Sequence, residues 1–195
     1  MTRLAALTAR RLRGAGLLAM ANAIMTIPWF IMTFMLGEKS GLWPKVANGA
    51  MQLTSTAIFV FVVLTLRILL NRRYAFEGIN VIIDWMVKAN IVITVVSLAG
   101  IASKEIAEAT GVLALILIVP LGVLQLVMGL RLQQLPNDLN GLLRPFCYLN
   151  MITGISLASI FLVPVGVIIG AVCDIMLGTI FFQAASAGPL IDTEA

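Results

Sequence analysis

Histidine is absent from the 195 residues, and cysteine occurs only twice, at Cys147 and Cys173. Without imidazole there is no His-ligated haem and little zinc chemistry to assemble. Both cysteines lie within or beside apolar runs and in no CxxC pair, so they read as small hydrophobes filling helix contacts. Charge is scarce too: Asp, Glu, Lys and Arg together make 11% of the chain, against roughly a quarter in a soluble domain. No solvated basic face interleaved with aromatics is present, which excludes a nucleic-acid partner. Phosphate-loop, GxSxG, HExxH and paired-carboxylate motifs are all missing, so enzymatic chemistry is poorly supplied. No catalytic residue, metal ligand or cofactor is expected.

What remains is apolar. Hydrophobic residues make up 61% of the chain and mean hydropathy is +1.05, a composition that belongs in a bilayer. The N-terminal stretch MTRLAALTARRLRGAGLLAMANA is basic and acid-poor, as targeting peptides are. Its apolar run continues to Leu36, which suits a first membrane span better than a short signal core.

Six spans are predicted, at about 16–36, 49–70, 82–102, 112–131, 145–163 and 166–186, in a single all-α integral membrane domain covering 1–195. The last two form one apolar block broken at Val163–Gly166, where Pro164 is expected to mark a tight hairpin; one long bent helix, giving five spans, is the alternative. With a cytoplasmic N-terminus, every arginine (Arg3, Arg10, Arg11, Arg13, Arg67, Arg72, Arg73, Arg131 and Arg144) falls inside. The outer loops keep only Lys39, Lys45 and Lys104. Positive-inside sorting produces that bias, so both termini are expected in the cytoplasm of a bacterial-type inner membrane. The same arginines could meet anionic headgroups.

Spans three and five share a pattern: NIVITVVSLAGI from Asn90 aligns with NMITGISLASI from Asn150 across a one-residue gap, with a weaker echo, NAIMTI, from Asn22. The expectation is three helical hairpins of about 60 residues, an internal triplication, inserted the same way. Asn22, Asn90 and Asn150 would then lie at one depth, roughly 4–8 Å to the cytoplasmic side of the midplane at about 1.5 Å per residue. Thr26, Thr94 and Thr153 follow about a turn deeper. The asparagines can act as interhelical glue or as a polar ring lining a path.

In the sixth span, GVIIGAVCDIMLG sets one carboxylate on a stripe of glycines: Gly166, Gly170, Asp174, Gly178. Helices associate in lipid through close backbone approach and polar contacts. An intramembrane acid costs roughly 2.5–3.5 kcal/mol even on the lenient insertion scale. The stripe therefore turns Asp174 toward another helix, as a hydrogen-bonded packing device, a proton- or cation-handling group, or a counter-ion. Asp84 and Lys88, spaced i, i+4 beside Trp85, read as an interfacial ion pair, with Arg67 as another partner for Asp84. Pro28 and Pro120 are expected to kink the first and fourth spans.

These features predict a non-enzymatic membrane protein, an accessory subunit or homo-oligomeric bundle, with lipid and other membrane subunits or copies of itself as partners. The alternative is a small transporter or channel for a proton, cation or small solute, using Asp174, Lys88 and the Asn22/Asn90/Asn150 level.

Overall fold

A computed structural model describes residues 9–37, 42–100 and 104–187. Among them are six α-helices and no strand: α1 (Ala9–Gly37), α2 (Leu42–Tyr74), α3 (Asn80–Ala99), α4 (Lys104–Leu132), α5 (Leu143–Ala158) and α6 (Val163–Ser186). Hydrocarbon cannot hydrogen-bond a free peptide group, so apolar segments of this length must close their bonds internally as helix. All but α5 are long and apolar enough to cross a membrane. The embedded hydroxyls follow the same rule. Thr26, Thr65, Thr94 and Thr179 each donate to the carbonyl four residues back, at 2.7–3.0 Å. Pro28 and Pro120 lie inside continuous helices, α1 and α4.

The fifth span is shorter than its sequence suggested. Its helix has 16 residues, about 24 Å at 1.5 Å per residue, and stops at Ala158 rather than running to 163. The chain reverses over Ser159–Leu162, with Ile160 at a φ of 59°. Ser159 caps both sides of the turn, its hydroxyl donating to the Ser156 carbonyl (2.9 Å) and accepting from the Leu162 amide (3.3 Å). Pro164 is therefore not the break. It sits in the first turn of α6, where its missing N–H and fixed φ cost nothing.

The helices pack in chain order into a closed ring, α1 against α2, α2 against α3, and so on until α6 returns to α1. The seams α1/α6 and α4/α5 are the most extensive, and both are built on glycine. A Cβ on Gly154 would stand 2.5 Å from the Leu126 amide nitrogen and 2.6 Å from the Gly122 carbonyl oxygen. In the other seam, a Cβ on Gly178 would meet Met20 Cγ at 2.8 Å and the Gly16 oxygen at 3.0 Å. With no hydrophobic drive between helices in lipid, this close approach is where the association energy comes from.

The core is one-sided. Its buried apolar residues include Leu12, Ala15 and Ala19 of α1, Leu66, Leu69 and Leu70 of α2, and Ile83 and Met86 of α3. The remainder include Met128 and Leu132 of α4, Phe146 and Cys147 of α5, and Leu177, Ile180 and Phe181 of α6. All belong to the half of each helix nearest the arginines. Those ends converge: Arg73 Nη1 donates to the Ala184 carbonyl at 2.8 Å, and Asn140 Nδ2 to Gln183 Oε1 at 3.4 Å. Toward the other end, Ile31, Leu53, Val95, Ile116 and Phe161 are exposed.

Candidate functional site

Beyond the packed half the interior of the ring is not filled. It leaves a cavity of about 330 Å³ to which all six helices contribute. Most of the wall is apolar, including Phe59, Val62, Met86, Phe146 and Leu177. Set into it are Asn22 and Thr26 of α1, Ser55 of α2, Gln125 of α4, Asn150 and Thr153 of α5, and Asp174 of α6. Among the described residues Asp174 is the only charged one in the lining, with no lysine or arginine beside it.

Asp174 is half-buried and stands in mid-helix, eleven residues or roughly 16 Å from the start of α6. Its Oδ2 accepts a hydrogen bond from Asn22 Nδ2 at 2.7 Å across the α1/α6 seam. Asn22 Oδ1 is buried and has no hydrogen-bond partner. On α5, the other neighbour of α6, Asn150 donates to the Phe146 carbonyl (2.8 Å) while its Oδ1 receives Gln125 Nε2 at 3.4 Å. Thr153 Oγ1 lies 3.9 Å from Cys173 Sγ, joining α5 to α6. The half-buried acid, with one hydrogen bond made, thus keeps acceptor capacity for something that donates or is positively charged.

The glycine stripe does not face one helix. Gly166 looks at Ser156 and Leu157 of α5, and Gly178 looks at Met20 and Gly16 of α1. Gly170 meets only Thr153 Cγ2, at 3.8 Å. Four residues advance a helix by about 400°, so an i, i+4 row drifts about 40° per step. Over three steps the row passes from the α5 seam, across the cavity, to the α1 seam. Gly170 occupies the stretch where neither neighbour is close, and Asp174, one step on, reaches Asn22 of α1.

The other expected residues divide. Asn22 and Asn150 line the cavity, and Asn90 does not. Asn90 Oδ1 is buried without a partner, and its backbone carbonyl accepts from Thr94, whose hydroxyl also meets Thr56 at 2.6 Å in the α2/α3 seam. Lys88 is exposed and lies 5.1 Å over the Trp85 ring. Asp84 pairs not with Lys88 but with Arg67, Nη1 to Oδ1 at 2.6 Å, their side chains 30% and 47% exposed. Such a pair contributes little, so a double-mutant cycle on Arg67→Ala and Asp84→Ala should give a coupling of about 0.2–1 kcal/mol. A coupling several times larger would place the pair in a far drier setting.

Gln125 and Ser55 are absent from the sequence expectations. Gln125 was findable, as the lone amide in the apolar run ALILIVPLGVLQLVMGL. Ser55 was not, because it lies in the polar-flanked stretch QLTSTA at the start of the second span. Among the described residues no cluster of His, Cys, Asp and Glu could hold a metal ion. Compared with protein-family models, curated proteins and solved structures, the chain matches none, so what it does is read from its own geometry.

Proposed function

We propose that this protein is a small-solute carrier of a bacterial-type cytoplasmic membrane, admitting its solute to the six-helix cavity. The carrying observation is the cavity itself: it lies near the middle of α1, α2 and α6, holds one acid, and sits directly above a packed core. A core filled by Leu66, Leu69, Leu70 and Phe181, each no more than 1% exposed, closes one direction. The sparsely packed half leaves the other as the way in. An accessory or self-associating subunit would use the exposed apolar faces of α3 and α4; lipid covers those equally well, and a passive scaffold has no need of an interior cavity with an acid in its wall.

The same proposal takes six spans as three hairpins, both termini in the cytoplasm, and a triplicated origin. It draws on the ring order, on the convergence of the arginine-bearing ends and on positive-inside sorting. Phe161, 93% exposed in the turn after α5, would extend the apolar reach of that short helix toward the interface.

Water access tests the proposal without knowledge of the solute. Gly170 lines the cavity with room for a side chain, so Gly170→Cys, with Cys147→Ala and Cys173→Ala, puts one thiol there. A membrane-impermeant cationic thiosulfonate should label it from the side opposite the arginines and hardly at all from the arginine side. Failure to label from either side, with the protein folded and Lys45→Cys labelled as a control, would sink the carrier proposal.

A further inference from the structure

Resting on the carrier reading, the lining chemistry narrows the solute class. We infer that the cavity takes a monovalent organic cation, a protonated amine on an apolar body, with Asp174 as its counter-ion. Three observations converge. The lining holds one carboxylate and no basic side chain, so an anion would face repulsion with nothing to offset its desolvation. Asp174 accepts a single hydrogen bond and is only half-buried, with Asn22 holding it in place. A guest head bearing N–H donors would supply what the carboxylate lacks, and charge-assisted bonds of that kind are the stronger sort. The rest of the wall is apolar and includes the rings of Phe59 and Phe146, which suits a hydrocarbon or aromatic body of the guest.

A bare divalent ion fits less well. Calcium takes six to eight oxygen ligands, and magnesium keeps several waters around one or two carboxylates, whereas this cavity offers one carboxylate among scattered amides. The pairing of one ammonium with one carboxylate also leaves the occupied cavity neutral, which is the low-energy condition at mid-membrane.

Three probes sharing one body separate head-group charge from apolar fit: 2-phenylethylammonium, 3-phenylpropan-1-ol and 3-phenylpropionate. Binding to the full chain in lipid nanodiscs is measured by calorimetry. The ammonium should bind at least about tenfold more tightly than the alcohol, given the desolvated charge partner, and the carboxylate should not bind. Asp174→Asn, nearly isosteric, should erase that preference by weakening the ammonium, and Asp174→Glu should retain it. Gly170→Leu, which projects into the cavity, should weaken both ammonium and alcohol. Equal affinities for ammonium and alcohol, or a preference that survives Asp174→Asn, would overturn the inference. So would absence of ammonium binding to a protein whose Gly170→Cys variant is still labelled from water, a result that leaves the carrier proposal standing.

Discussion

Gly154→Ala should cost about 3 kcal/mol, near the top of the range for forcing a methyl group into a filled space. The added carbon would lie 2.5 Å from one backbone atom and 2.6 Å from another on α4. Neither can rotate away as a side-chain tip could, so the two helices must separate. Separation sacrifices the dispersion contacts on which helix association in lipid depends. Gly122→Ala, facing the same contact from the other side, should behave alike. Gly170→Ala meets nothing closer than 3.8 Å, and Gly111→Ala nothing within 4 Å. Those two should be neutral, or gain about 0.5–1 kcal/mol from the lower backbone entropy of alanine in a helix. Thermal unfolding in mild detergent ranks the four variants. A Gly154→Ala protein melting with the parent would mean that α4 and α5 do not approach at these glycines.

Phe181→Ala and Phe161→Ala should differ by about 1.5 kcal/mol or more, although both remove the same atoms. Phe181 is fully buried in the packed half, whereas Phe161 is 93% exposed in the α5–α6 turn. Truncating a buried phenylalanine in a water-soluble core costs about 3–5 kcal/mol through lost transfer energy and the cavity left behind. In a bilayer the transfer part largely vanishes, because lipid is as apolar as the core, but the packing part stays. Phe181→Ala should therefore lower stability by about 2–3 kcal/mol, and it should also loosen the closed side, letting a cavity thiol at position 170 react from the arginine side. Phe161→Ala should change stability by less than about 0.5 kcal/mol, as ordinary surface substitutions do. Equal effects would deny the one-sided core.

Membrane placement was decided by the sequence alone, because transfer from water to hydrocarbon is summed residue by residue and needs no tertiary partner. The same local sum located the apolar helices, and the expectation that all nine arginines lie on one side rests on the parity of those spans. It also required Asp174 to turn from lipid toward another helix, and its hydrogen bond to Asn22 crosses to α1. Which helix that would be was not legible. Asn22 is 152 residues away, and its approach depends on the ring closing between first and last helices. Rotation of each helix about its own axis is set by the packing of all six, not by its own pattern. For that reason Asn22 and Asn150 reach the cavity while Asn90 does not, and Asp84 finds Arg67 on α2 rather than Lys88 one turn along its own helix. The stripe from Gly166 to Gly178 showed the same limit. Spacing put four residues on one strip, but the drift of an i, i+4 row divided them between two neighbours, leaving Gly170 facing the space between and Asp174 bonded to Asn22 of α1. Only the closed ring decides what lies across from each strip, because a helix in lipid is held by where neighbouring backbones can come close.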